Sequence, residues 1–408
     1  MKILFIHQNF PGQFRHLAPA LSALGHQICA LTINLPSEQL NGVTVVRYPI
    51  DAAGSSATSR GLPELDDWGT KVLRGKAAAD AMQAMKGKGF VPDVVFAHPG
   101  WGEALFAKDV YPAARLLVYA EYYYGADGGD TCFDPEFSQP SLANSQRITL
   151  KNTHLLHALS ACDRALSPTH FQKVQHPAWA QGKIDVIHDG IATQRFRPDP
   201  SASIQLKSAG VTLRPGDEVI TFVARHLEPY RGYHIFMRAL PLLQKLRPQA
   251  RIVIVGGDGV SYGAPPPNGE SWKLVFLKEV SEQIDLGRIH FVGKVSHHLL
   301  TQLMQVSAAH VYLTYPFVLS WSLLEAMSIG CLIVASDTAP VREVITNDKN
   351  GLLVDFFDPE ALAKRIAYAL ARADQLRGLR TAARESIVRN YDLSSICLPA
   401  HIKWALGR

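Results

Sequence analysis

Short apolar runs, each followed by an amphipathic stretch, recur along the chain. This alternation limits the possible folds more than any single residue does. Residues 3–6 form an apolar run of strand length, and 13–24 follow with Phe14, Leu17, Leu21 and Leu24 at helical spacing before Gly25. The pattern predicts further strands at 27–33, 43–48, 93–97, 115–120, 164–167 and 184–187, with a helix over 148–159. Residues 52–61, small and polar, read as a loop. Strands that alternate with helices predict parallel sheets covered by helices on both faces.

Residues 188–203 lose this periodicity. Gly190, Arg195, Arg197, Pro198 and Pro200 mark them as a hinge. The alternation then restarts, with strands expected at 219–224, 251–255, 288–292, 310–314 and 332–335. Helices are expected at 233–246, 272–284, 298–306 and 322–329, with 359–371 as the last. A chain of 408 residues is long enough for two cores. The expected fold class is therefore α/β, with a doubly wound first domain at 1–187 and a second at 188–390. The segment 391–408 is free to pack back on the first. Two such domains on a hinge place a ligand cleft between the carboxyl edges of their sheets.

Composition narrows the function classes. Hydrophobic residues make up 47% and charged residues 19%, which excludes a disordered chain. A net charge of +5, dispersed along the chain, argues against nucleic acid and suits an anionic small molecule or a weak membrane-surface contact. Cys29, Cys132, Cys162, Cys331 and Cys397 are odd in number and contain no C-x-x-C pair. Neither a disulfide framework nor a zinc site is expected, and a reducing, cytoplasmic setting fits. No apolar run approaches the ~20 residues that cross a bilayer. Trp68, Lys71, Arg74 and Lys76 offer a peripheral membrane contact, though a solvated face is the plainer reading.

Chemistry concentrates at the expected strand ends. Residues 311–330 read as strand, loop and helix. Ser320, Trp321, Ser322 and Leu323 stand where the helix begins, so their free amides would favour a phosphate. Glu325, one turn further on, is placed to accept hydrogen bonds from a ribose diol; a serine cap followed by a solvated glutamate is the structural alternative. Arg225 lies just past a strand and Arg231 on the loop before the next helix; two guanidinium forks there suit a diphosphate. Gly256 and Gly257 open a glycine-rich turn that is not a dinucleotide fingerprint, and Gly293 and Val295 occupy another strand end. In the first half, His7, Gly12 and Gln13 follow one strand and His98 another, while Glu121 and Tyr122 could line an acceptor site.

Taken together these segments resemble the family 4 glycosyltransferases, which are retaining enzymes of the GT-B fold. The likeness covers nearly the whole chain. It rests on the loop ending at Gly12, on Asp93 to His98, on Val186-Ile-His-Asp-Gly190-Ile, and on Arg225 with Arg231-Gly232. It continues through Gly256 to Gly259 and Phe291-Val-Gly293 to Leu323-Leu-Glu325-Ala-Met-x-x-Gly330. Three departures stand out: an arginine at 231 where the family commonly has lysine, His188-Asp189 for Pro-Asn, and Phe317 where the first glutamate of the two-glutamate motif belongs.

The resemblance implies transfer of a hexose from a nucleotide-diphosphate sugar (UDP- or GDP-linked) to a saccharide or lipid-linked acceptor, in cell-surface polysaccharide synthesis. It implies Arg225, Arg231 and His98 in catalysis. Gly12, Gly256, Gly257, Gly293, Val295 and residues 320–323 would hold the donor with Glu325, and His7, Gln13, Glu121 and Tyr122 the acceptor. No metal is expected, since the sequence has no D-x-D triplet. A nucleotide-sugar epimerase of the same fold and a non-catalytic nucleotide-sugar binder are the competing expectations.

Overall fold

The computed structural model describes residues 1–50, 63–206 and 210–407; the loop expected at 52–61 lies outside them. The chain divides into two units, Met1–Asp189 with Ser394–Arg408, and Gly190–Leu393.

The first unit is built on β1 (Lys2–Ile6), β2 (Gln27–Thr32), β3 (Val43–Arg47), β4 (Val94–Ala97), β5 (Arg115–Tyr119), β6 (Arg164–Ser167) and β7 (Ile184–Val186). They form one sheet, all parallel, in the order β3-β2-β1-β4-β5-β6-β7. Alternate residues of a strand face opposite sides, so a strand covered on both sides must be apolar throughout. Leu4, Ile6, Leu31, Val95 and Val118 accordingly join one core, and Ile3, Phe5, Ile28, Phe96 and Leu117 the other. Phe14, Leu17 and Leu21 close the second core, as their spacing predicts.

The second unit repeats the design. Its strands β8 (Ile204–Leu206) and β9 (Val211–Leu213) pair antiparallel. β10 (Val219–His226), β11 (Arg251–Gly257), β12 (Ile289–Gly293), β13 (Ala309–Tyr312), β14 (Ile333–Ser336) and β15 (Leu352–Val354) form a parallel sheet in the order β12-β11-β10-β13-β14-β15. Helix Tyr233–Leu246 covers it, with Phe236 stacked on Phe222 at 4.7 Å. In each sheet the winding reverses beside the first strand, between β1 and β4 and between β10 and β13. Ligands of open α/β sheets bind at such switch points.

Several elements differ from expectation. The helix expected at 13–24 is a 3₁₀ turn, Gly12–Phe14, followed by an α-helix, Leu17–Ala23. The helix expected at 148–159 is two, Leu142–Lys151 and Thr153–Ala161. Between them Asn152 turns inward. Its side chain accepts from the Tyr124 amide at 3.1 Å and donates to the Tyr124 carbonyl at 2.7 Å. Helix 359–371 is not the last, because Arg377–Tyr391 and Leu398–Leu406 follow. Only Ala383 and Ile387 of Arg377–Tyr391 are buried, too few to give an apolar stripe.

The last helix returns to the first unit. Trp404 lies 5.3 Å from Phe96 and donates to Asp185 at 2.6 Å, and Arg115 donates to the Ala405 carbonyl. Among the described residues no helix is long and apolar enough to cross a membrane.

Candidate active site

At the switch point of the second unit, two strand ends supply the polar groups. β10 is bulged: its register against β11 shifts between Val223 and His226. A bulge re-aims the side chains it carries. Arg225 stands there, inside the strand rather than past it, exposed and without a hydrogen bond or ion pair to any described residue.

Arg231 is different. It ends the 3₁₀ turn Pro229–Arg231, it is buried, and Gly232 follows at φ +64°, which lets the helix start immediately. Its Nη1 donates to the Tyr312 hydroxyl at 3.2 Å, the Thr314 hydroxyl at 2.8 Å and the Val318 carbonyl at 3.2 Å. All three acceptors are neutral. The Tyr262 ring lies 5.2 Å from the guanidinium. Burial alone would lower the pKa of Arg231, but Tyr312, Tyr262 and Glu228 outweigh it, so the cation persists.

That ring is carried by the loop after β11, and one buried carboxylate anchors the loop. Glu228 accepts the backbone N–H of Ser261 at 3.1 Å, Tyr262 at 3.2 Å and Gly263 at 3.3 Å. His226 adds a 2.6 Å bond between its Nδ1 and the Ser261 hydroxyl. Tyr262 then meets Phe317 at 4.9 Å, and Tyr230 meets Phe317 at 5.7 Å and Tyr315 at 4.7 Å. Phe317 is thus a buried member of an aromatic cluster, at the position where the motif it resembles has an acid.

Helix Trp321–Ile329 begins beside this cluster. Ser320 caps it without a side-chain cap bond; its amide donates to the Tyr312 hydroxyl at 3.0 Å and its hydroxyl pairs with that of Ser322 at 2.8 Å. Trp321 is exposed, Leu323 is core, and Glu325 is buried rather than solvated. Gly256 and Gly257 are tight against the protein itself. A Cβ on Gly256 would stand 2.6 Å from Leu227, and one on Gly257 2.5 Å from the Lys294 stem. Gly293, at φ +66°, has open space beside it, and Val295 packs against the core beneath β8 and β9. Lys294 is an exposed cation that the sequence analysis passed over.

At the switch point of the first unit, hydrogen bonds fix the tautomers of two histidines. The Asn9 amide donates to His7 Nδ1 at 2.9 Å, so the ring proton sits on Nε2, which donates to Gln13 Oε1 at 2.9 Å. Gln13 in turn donates to Glu121 Oε1 at 2.9 Å. The Gly100 amide donates to His98 Nδ1 at 3.2 Å, which leaves the proton on His98 Nε2.

That N–H lies 3.5 Å from Glu121 Oε2, beyond hydrogen-bond geometry, and is a buried donor without an acceptor. Trp101 at 4.6 Å and Tyr119 at 5.5 Å stack on the two sides of the His98 ring. Burial, reinforced by His98, lowers the pKa of His7 to about 3. Burial raises that of Glu121, but His98, His7 and Gln13 bring it below the usual carboxylate range. Gly12 stands against His7: at φ +46°, a Cβ there would fall 2.4 Å from Nε2.

A cavity of about 250 Å³ opens beside this network, lined by His98, Trp101, Glu121, Tyr122 and Tyr124 and by Lys71, Arg74 and Lys151. Tyr122 is buried, with its hydroxyl on Asp130 at 3.2 Å, so it reaches the cavity as a wall. Lys71 and Arg74 line the cavity too, instead of forming the exposed face expected with Trp68 and Lys76. Lys71 is ion-paired with Asp67. Sequence reasoning also passed over Lys151, Glu228 and Tyr262, because a lone lysine, glutamate or tyrosine on a loop or helix end carries no spacing signal.

Two parallel sheets of this winding, each with polar groups gathered at its switch point, define a GT-B protein. Solved structures share the fold. Anabaena Alr3699/HepE in complex with UDP-glucose is 16% identical with a TM-score of 0.67, over 100% of this chain and 99% of that one. Sucrose-phosphate synthase from Thermosynechococcus elongatus is 18% identical with a TM-score of 0.73, over 100% of this chain and 98% of that one.

The chain belongs to the family 4 glycosyltransferases. Residues 24–196 match the model described as glycosyl transferase family 4 group, and residues 205–386 that of glycosyl transferases group 1. The D-inositol 3-phosphate glycosyltransferase of Streptomyces avermitilis is 24% identical over 267 residues, 60% of this chain and 54% of the relative. The chain thus spans about half the length of the curated relatives it matches.

Proposed function

We propose that this protein transfers a glycosyl group from a nucleoside-diphosphate sugar, held by the second unit, to a hydroxyl of a saccharide or lipid-linked acceptor, held by the first. The observation that carries this reading is Arg231, a buried guanidinium surrounded by neutral oxygens. No carboxylate of a described residue is hydrogen-bonded or ion-paired to it, and Glu228 acts on it only at longer range, so the cation has room for a directly bound anion. Arg225 and Lys294, both exposed, stand on the ends of β10 and β12 with no hydrogen bond or ion pair to a described residue. The helix beginning at Trp321 adds its dipole.

In the reaction the bond from the anomeric carbon to the diphosphate oxygen breaks, and the acceptor oxygen bonds to that carbon. The electron pair leaves with the diphosphate, whose oxygen takes the acceptor proton. Charge on the leaving group then grows where the cations already stand, which favours the transition state over the bound substrate. His98 Nε2–H, a donor without an acceptor, is suited to a sugar hydroxyl as hydrogen-bond donor, not as base. We infer retention at the anomeric carbon, no metal requirement, and a reducing compartment that suits four buried thiols and the half-buried Cys132.

The test is incubation of the full chain with UDP- and GDP-sugars, with and without acceptors, in the presence of a chelator, followed by NMR of the product anomer. The expected product is a glycoside of unchanged anomeric configuration, lost in Arg231→Ala while that variant keeps its melting transition. Epimerised sugar nucleotide without acceptor, or no turnover with any donor, would refute transfer.

A further inference from the structure

We propose that the cavity of the first unit binds a phosphate ester on a small polyol or sugar, its phosphate held by Lys151 and Arg74 and its reacting hydroxyl beside Glu121 and His98. This rests on the glycosyl-transfer reading and names the acceptor class it left open.

Helix Pro63–Gly87 sets one side of the cavity. Asp67, Thr70, Lys71 and Arg74 are spaced i, i+3, i+4 and i+7, so one helical face turns them all inward. Helix Leu142–Lys151 sets another side and ends on Lys151. The cavity then holds three cations against two carboxylates, and the carboxylates are engaged. Asp67 pairs with Lys71. Glu121 accepts from Gln13 and faces His98. Lys151 and Arg74 form no ion pair with a described residue.

Neither cation is fully satisfied by the described residues. The Lys151 ammonium stands 3.5 Å over the Tyr124 ring and donates no hydrogen bond to a described residue. Arg74 reaches Gln8 through Nη1 at a long 3.4 Å, and its Nε is buried with no partner. His154 donates from Nε2 to the Gly100 carbonyl, so its buried, partnerless Nδ1 is an acceptor, suited to a hydroxyl of the bound polyol and not to the phosphate. A buried donor left without an acceptor is costly, and a phosphate supplies several anionic acceptors at once. At about 250 Å³ the cavity is just below the ~300 Å³ at which ordinary small-molecule sites begin, so it suits one ring and its substituents, not a chain. Trp101 and Tyr124 give that ring apolar faces.

The charge on Lys151 is itself adjustable. Burial lowers its pKa to about 8, with Asp130 and Asp67 opposing and Arg147 and Lys71 adding to the shift. His154 faces the same group and is neutral, its pKa lowered to about 4 by burial and by Lys71. A phosphate keeps its charge above neutral pH, so its affinity falls as the lysine loses its proton above about pH 8.

The experiment is calorimetry of the full chain with glucose 6-phosphate, inorganic phosphate and glucose, and sedimentation with vesicles with and without phosphatidylinositol 4-phosphate. Glucose 6-phosphate should bind at least ~10-fold tighter than glucose, the scale of one charge-assisted hydrogen bond. Lys151→Met and Arg74→Gln should each erase that preference. Lys151→Arg should keep it, as should Lys76→Ala at an exposed position. Vesicle binding that depends on the phosphorylated lipid and on Lys151 would assign the phosphate to a lipid headgroup; binding of the soluble ester alone would assign it to a free sugar or polyol.

Equal affinity for glucose and its phosphate, or a preference that survives both Lys151→Met and Arg74→Gln, would overturn the proposal. If the preference holds but no donor sugar is ever transferred, the site stands and the transfer reading falls. If unphosphorylated acceptors are glycosylated equally well by the parent and both variants, the transfer reading stands and the site falls.

Discussion

Replacing Glu228 by glutamine tests whether one carboxylate organises the second unit's strand-end site. The side chain is buried and keeps its shape on substitution, so packing is unchanged to first order. What changes is the acceptor set. Three successive amides, of Ser261, Tyr262 and Gly263, converge on Oε2 at 3.2–3.3 Å, and Ser261 also reaches Oε1 at 3.1 Å. Glutamine offers one acceptor oxygen and, on the other side, an NH₂ that meets an N–H. At least one charge-assisted bond, about 1.5–3 kcal/mol, is replaced by a donor–donor contact. The cost is about 3 kcal/mol, or roughly a 100-fold rise in loop opening.

The opening should be local, because the other anchors of the segment are the His226–Ser261 bond and a 2.9 Å bond from Trp272 to the Ala264 carbonyl. Hydrogen exchange should show Ser261, Tyr262 and Gly263 losing protection while β10 and β13 keep theirs. Because Tyr262 flanks the Arg231 guanidinium at 5.2 Å, affinity for a nucleoside diphosphate should fall by about 10-fold, the scale of a partly desolvated cation–π contact. Unchanged protection of the three amides, or loss of protection across the whole sheet, would refute the assignment of Glu228 as a local anchor.

Arg231→Lys should lower turnover by about 10-fold or more, since an ammonium on a flexible stem cannot reproduce a planar fork fixed by three acceptors; steady-state kinetics equal to the parent would contradict this. Gly12→Ala should displace the His7 ring, whose Nε2 would lie 2.4 Å from the new Cβ. The Gln13 bond should break and acceptor KM rise several-fold with donor affinity intact, and a crystal structure with the His7–Gln13 bond retained would count against it.

Acid should destabilise the first unit before the second. His7 and His188 are lowered to about 3, and His154, His176 and His401 to about 4, by burial first in each case, against His310 at about 4 in the second unit. These imidazoles stay neutral in the fold while the unfolded chain binds protons near pH 6.5. Stability is therefore complete above that value and is lost as pH falls toward 4, by up to about 1.4 kcal/mol per pH unit for each group. Pulsed hydrogen exchange between pH 7 and 4 should see β1 and β4 exposed first; simultaneous exposure of both sheets would be inconsistent with this asymmetry.

The architecture was legible because its signal is local. A strand buried on both faces has to be a short apolar run, and β1, β4, β10 and β13 are read directly from such runs. Helix Pro63–Gly87 was missed for the converse reason: its inward face carries Asp67, Thr70, Lys71 and Arg74, polar residues that line a cavity, so no apolar stripe announces it. The charged helix Arg377–Tyr391 escaped on the same ground. The split at Asn152 depends on a partner 28 residues away, which no window can weigh.

The amino-acid sequence by itself determined that there are two α/β units, which strand ends carry polar residues, and that Phe317 interrupts an acidic motif. The first two follow from order and period along the chain, and the third from its likeness to the family's two-glutamate motif. Only the tertiary structure decided the surroundings of each polar residue. Arg225 and Arg231 look equivalent in a string of letters, yet one stands exposed at a bulge and the other is buried with its Nη1 on three neutral oxygens. Lys151 gains its meaning from Tyr124 and from helix Pro63–Gly87, and the proton of His98 from the amide of Gly100. Desolvation and hydrogen-bond direction are set by neighbours distant in the chain, so they come into being only when the sheets close.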